Sequence, residues 1–144
     1  MLTQIQAAAA LAVALALGGC VTAPKGAVPQ GNFLPQTVQQ QRLANDALRQ
    51  LQTLYLPART NLALAQPVAD PFGAALLKGL RSSGYAVQEA GTAPAQVANA
   101  PLPVRYVVDQ LGGGLVRVMV TVGTTSISRA YLDQAAAGPW MRKE

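Results

Sequence analysis

The chain has 144 residues, of which 51% are hydrophobic, too apolar for a disordered protein and enough for one ordinary domain. Only 12% are charged, and the net charge of +5 is spread from Lys25 to Lys143 with no cluster beyond Arg142-Lys143, unlike the concentrated basic face of a nucleic-acid-binding protein. The absence of His and the presence of one Cys exclude a His general base, a Ser-His-Asp triad, His or Cys zinc sites and an intramolecular disulfide. The six acids are scattered, with no two within ten residues of each other, and there is no Gly-rich phosphate-binding fingerprint. No catalytic residue, cofactor, metal or small-molecule substrate is therefore expected. A weakly charged surface fits a chain that sits inside an assembly, and equally an alanine-rich, high-GC coding style.

Residues 7–17, AAAALAVALAL, are an apolar run too short to anchor in a bilayer and suited to a signal-peptide core. Leu17-Gly18-Gly19-Cys20 follows, and this small-residue pair before a lone Cys resembles a bacterial lipobox. The resemblance implies removal of a signal peptide over residues 1–19 and triple acylation of Cys20, more than the two signals that stable anchoring needs. Val21, in place of Asp, then favours the outer membrane. The preceding MLTQIQ lacks the usual Lys or Arg. Residues 20–36, rich in Pro and Gly and without periodicity, read as a lipidated tether. Phe33 and Leu34 are its bulky apolar residues, either a docking segment or, as favoured here, the lead-in to a helix.

The domain proper is expected over residues 37–144. Ala44, Ala47, Leu48, Leu51, Leu54 and Tyr55 recur at helical spacing within residues 38–55, with Thr37 and Gln40 as a capping box and Pro57 as the stop. Arg42, Asp46 and Arg49 fall on the wet face, where Asp46 can pair with either Arg. Residues 60–66 alternate like a half-buried strand. Asp70-Pro71 opens a second helix as N-cap and first helical residue, Phe72, Ala75, Leu76 and Leu80 form its stripe, and Gly84 closes it. Residues 85–89 read as a short strand and 90–101 as a loop.

Residues 102–111 and 115–122 flank Gly112-Gly113-Gly114 and predict a hairpin. A turn centred on Gly113 puts Asp109 opposite Arg117 and gathers Val104, Tyr106, Val108, Val116, Val118, Val120 and Val122 on one face. A third strand over 125–132 should return beside the second. A two-residue turn would put Ile127, Tyr131 and Arg129 on the valine face; a three-residue turn would spare Arg129 from burial and is preferred for that reason. The sum is an α+β two-layer sandwich: two helices packed on a mostly antiparallel sheet of about five strands.

Arg105, Arg117 and Arg129, one in each of these strands, are candidates for an anion-binding row on the open face, or else a solvated face with an Asp109–Arg117 pair. Trp140, in the terminal GPWMRKE segment, is a core-edge aromatic or an interface anchor. Ser126 and Ser128 have no visible base, as a hydrolase would need.

The segments ADPFGAALLKGLRSSGYAVQE (69–89), RYVVDQLGGGLVRVMVTVGTTSISRAYL (105–132) and GPWMRKE (138–144) resemble the TrbH family of conjugal transfer lipoproteins. The resemblance implies an outer-membrane lipoprotein facing the periplasm, anchored through Cys20, with a structural role among the subunits of a type IV secretion channel. It implies no catalytic residue; the spread of the cations, separately, argues against a nucleic-acid partner. The alternative from the residues is a periplasmic binding module for peptidoglycan or another anionic ligand.

Overall fold

The computed structural model describes residues 31–35, 38–92 and 99–144. The segment read as a signal peptide, Cys20, Thr37 and much of the loop read over 90–101 lie outside the described residues.

The first helix, α1, spans Gln40–Leu54 and begins two residues later than expected. Its N-cap is Gln39, which makes no side-chain cap bond. Gln40 is not the reciprocal half of a capping box; its side chain accepts a hydrogen bond from Asn32. The stripe is otherwise as spaced, with Ala44, Ala47 and Leu51 buried, and Leu43 joins it. A short 3-10 turn at Pro57–Arg59 leads into a strand at Asn61–Leu64, where Leu62 and Leu64 point into the core.

The second helix, α2, spans Pro71–Ser82. Asp70 is its N-cap and accepts from the Gly73 N–H at 2.9 Å, with Pro71 at the first helical position. Gly84 turns the chain out of the helix at φ +89°. Gly79 lets the two helices approach, because a Cβ there would stand 2.7 Å from the end of the Leu48 side chain.

The described residues form one eight-stranded sheet, numbered in chain order as β1 (Gly31–Asn32), β2 (Asn61–Leu64), β3 (Ala86–Gln88), β4 (Leu102–Gly112), β5 (Leu115–Val122), β6 (Thr125–Leu132), β7 (Ala135–Ala136) and β8 (Met141–Lys143). The order is β3-β2-β4-β5-β6-β7, with β1 also on β4 and β8 also on β6. The expected count of about five strands is thus too low. The missed strands, β1, β7 and β8, are two or three residues long, too short for alternation to show in sequence. β1 lies in what reads as tether: Gly31 pairs with Val107 and Asn32 with Val108.

The β4–β5 register is the predicted one, with Asp109 opposite Arg117 and Val108 opposite Val118. All seven residues assigned to the valine face are buried, and both helices cover that face. Each fully buried aliphatic side chain there contributes about 1.5–3 kcal/mol relative to exposure.

The β5–β6 turn differs from the expectation. Val122 pairs with Thr125, so the turn is the two-residue Gly123-Thr124, with Gly123 at φ +61°. Arg129 therefore does face the helical layer. Burial of Arg129 is costly only if it is unpaired, and in the fold it is paired with Asp46 of α1. The next turn, Asp133-Gln134, has both residues at positive φ and starts β7.

Candidate functional site

With the helices on one face, the alternation of β4, β5 and β6 leaves Arg105, Val107 and Asp109, then Arg117, Met119 and Thr121, then Ser126 and Ser128 on the other. β8 extends this open face, with Lys143 opposite Ser126 and Met141 opposite Ser128. Together they shape a groove of about 730 Å³. Val107, Met119 and Met141 supply its apolar surface, Thr121, Ser126 and Ser128 its hydroxyls, and Arg105, Arg142 and Lys143 its cations. No acidic residue is among those lining it.

The candidate arginines separate. Arg105 lines the groove. Arg117 shares the open face but is held by Asp109, its Nε–H donating to Oδ1 at 3.0 Å and an Nη–H to Oδ2. The hydrogen bond to Asp109 raises the Arg117 pKa against the opposing effect of burial. Arg129 lies on the opposite side, between layers. Its Nη1 donates to Asp46 Oδ2 at 2.8 Å and its Nε to the Gly138 carbonyl at 2.7 Å. Trp140 is half-buried against the core, its ring centroid 5.9 Å from the Arg129 guanidinium. The three arginines thus do not form one row. Arg129 and Trp140 belong together at the end of the helical layer, and Arg105 stands with the β8 cations.

Ser126 exchanges a 2.8 Å hydrogen bond with Thr121, and neither Ser126 nor Ser128 has an acid beside it among the groove residues. Among the described residues no cluster of potential ligands could hold a metal ion, and no helix is long and apolar enough to cross a membrane.

Sequence reasoning missed Val107, Met119 and Met141. A signal existed for Val107, since Val107-Val108 breaks the alternation of β4 and puts an apolar residue on each face. None existed for Met141, which reaches the face only through the pairing of β8.

A second constellation joins the N-terminal strand to both helices. Asp70 Oδ1 accepts from Asn32 Nδ2 at 2.9 Å as well as from Gly73, and Asp70 Oδ2 accepts from the Tyr106 hydroxyl. Gln66, buried, accepts from the Tyr106 N–H at 3.0 Å. Burial, and then the Asp70 carboxylate, push the Tyr106 pKa well above the usual phenol value. This cluster is part-buried and ties β1 to the starts of both helices.

No curated protein and no solved structure is significantly similar to the chain. A family model described as conjugal transfer protein TrbH matches residues 23–144, which covers the helices, the sheet and the groove. The chain belongs to the TrbH family, and its role is in conjugative transfer.

Proposed function

We propose that the protein is a lipoprotein held at the outer membrane through Cys20, facing the periplasm, and that it is a structural and assembly component, without enzymatic activity, of a conjugative type IV secretion (mating-pair-formation) apparatus. The observation that carries this reading is the conjugal transfer family match over residues 23–144, immediately preceded by the Leu17-Gly18-Gly19-Cys20 sequence that resembles a lipobox. The family supports association with the cell envelope and with other components of the transfer machinery. Residues 1–19 are then the signal peptide, and the chain from Cys20 to the start of β1 is the tether. A groove that lacks an acid beside its serines, and a fold with scattered acids, favour packing over chemistry.

The test is made in cells carrying the intact conjugative system. Wild type and Cys20→Ser are compared for palmitate labelling, outer-membrane fractionation and co-purification of envelope proteins through a C-terminal tag. Labelled wild type that recovers a large envelope complex, with Cys20→Ser losing both, is the expected result. Unlabelled, soluble wild type would overturn the anchoring. Labelled protein that purifies alone would overturn the assembly role and favour a periplasmic binding module for peptidoglycan or another anionic ligand.

A further inference from the structure

The open face combines two features that packing of the helical layer leaves unused. The first is apolar exposure. Met141 is 64% exposed, Phe33 59% and Leu132 48%. Pairing of Met141 with Ser128 and of Leu132 with Leu115 sets both on this face, and the alternation of β1 carries Phe33 to the same side as Gly31. The second is charge. Arg105 and Lys143 have no ion-pair partner among the described residues, whereas Arg142 is held by Glu144 and Arg117 by Asp109. The face therefore carries a net positive charge around exposed aliphatic, thioether and aromatic groups. Two copies packed face to face would oppose their unpaired cations, which disfavours self-association.

The connectivity selects the occupant. The chain enters the sheet at Gly31, opposite Val107, at the border of the groove. Only the ten residues 21–30 separate it from Cys20. A segment of that length cannot extend beyond about 40 Å. Acyl chains on Cys20 would thus hold this border of the domain within that distance of a bilayer, and the charge and exposed apolar groups of the open face distinguish it from the helical side.

We propose that the open face lies against the anionic phospholipid surface of the membrane that holds the protein, with Phe33, Leu132 and Met141 at the interface and Arg105 and Lys143 on headgroup phosphates. The inference rests on acylation of Cys20. The acyl chains supply the affinity. The face supplies orientation, each cation favouring the membrane-facing population by a factor of about five at an anionic surface, and it turns the helices toward protein partners.

The mature acylated protein is reconstituted into vesicles of phosphatidylethanolamine with phosphatidylglycerol, and separately into phosphatidylcholine. Acylation consumes the Cys20 thiol, so Met141→Cys on the open face and Lys78→Cys on the exposed side of α2 each accept a single thiol-reactive fluorophore. A nitroxide lipid at headgroup depth reads proximity. The expected result is strong quenching at position 141 and weak quenching at 78 in the anionic vesicles. The ratio of membrane-facing to other orientations should fall about fivefold for each of Arg105→Gln and Lys143→Gln, and fall again in high salt. Equal quenching of both probes in acylated, vesicle-bound protein would overturn the orientation and leave anchoring intact. Quenching at 141 that is unchanged in phosphatidylcholine or by the two substitutions would overturn the assignment to anionic lipid. Protection of position 141 only on adding other envelope proteins of the apparatus would make a protein the occupant and overturn it as well. Unmodified Cys20, with protein that stays off the vesicles, would overturn both the inference and the anchoring beneath it.

Discussion

Arg129 of β6 reaches Asp46 of α1 at 2.8 Å and so ties the sheet to the helical layer across 83 positions of sequence. Tyr131, two residues on and on the same face, donates its hydroxyl to the same carboxylate oxygen at 2.6 Å, and Arg49 holds the other oxygen at 2.7 Å. The side chains of Asp46 and Arg129 are 16% and 22% exposed, enough shielding for the pair to matter more than a surface contact. Replacing Arg129 by Gln leaves a shielded carboxylate with less compensation. The expected loss is about 2 kcal/mol, measured by urea unfolding with Trp140, the only Trp and a neighbour of Arg129, as reporter.

The same carboxylate gives a pH dependence. Burial pushes the Asp46 pKa up, but hydrogen bonds from Tyr131, Arg129 and Arg49 outweigh it and hold the group below its ordinary value of 3.8. A depressed folded pKa contributes stability above the unfolded value, lost as pH falls through the folded one. Stability should therefore decline below about pH 4, and Asp46→Asn, already less stable at neutral pH, should show a shallower acid limb in urea titrations at successive pH values.

Gly73 and Tyr106 form a close contact that explains a glycine in the first turn of α2. A Cβ at Gly73 would overlap the Tyr106 hydroxyl, with Cζ at 2.9 Å. Gly73→Ala is expected to cost about 2 kcal/mol despite the better helix propensity of Ala. Tyr106→Phe removes the hydroxyl that Asp70 accepts from and should cost about 1–2 kcal/mol. The double variant should lose less than the sum, because the nearest clashing atom is gone and only the closer approach to Cζ remains; a double-mutant cycle in urea reads this coupling. Strict additivity would contradict it.

Much of the fold is legible in sequence because long alternating or helical stretches bury one face. Val104 to Val122 declare their common side without tertiary information, and Asp70-Pro71 declares the start of α2. The β5–β6 turn was not legible, since its length depends on whether Arg129 has a partner, and that partner lies on a helix read as having a wet face at Asp46. The short strands are invisible for a related reason: Gly31-Asn32 and Met141–Lys143 are strands only because β4 and β6 offer them unpaired edges. The groove inherits this limit. Its Arg105 could be named from sequence, whereas its Met141 and Lys143 reach it through β8.

The buried phenols set the alkaline limit. Burial, then Asp46, raises the Tyr131 pKa far above the usual value; burial, then Asp70, does the same for Tyr106. Burial also raises Tyr85. A raised folded pKa contributes stability that is complete below the unfolded value, and that is lost as pH climbs toward the folded one. Stability should fall as pH passes about 10. Absorbance at the tyrosinate band should show these three of the four tyrosines ionising together with unfolding. Tyr131→Phe should flatten the alkaline limb; an early, non-cooperative ionisation of all four would contradict the buried placement.

Asn32 fastens the entering chain to the domain, and its loss should show this locally. Its Nδ2 donates to Asp70 Oδ1 and to Gln40 Oε1, while its Oδ1 accepts from the Leu34 N–H at 2.9 Å. Gln40 is only 5% exposed, so Asn32→Ala leaves a buried amide oxygen short of a partner, at a cost of about 1–2 kcal/mol. The sheet interior does not depend on this cluster, since β4 keeps β5 along its other edge. Amide exchange should therefore accelerate at Phe33, whose N–H bonds the Val108 carbonyl at 2.8 Å, and at Leu34, beyond what the global loss explains. Amides of β5 should slow or quicken only with global stability. Unchanged relative protection at Phe33 would mean that β1 is held by its backbone pairing alone. The Asn32 cluster would then not be what joins the entering chain to the helices.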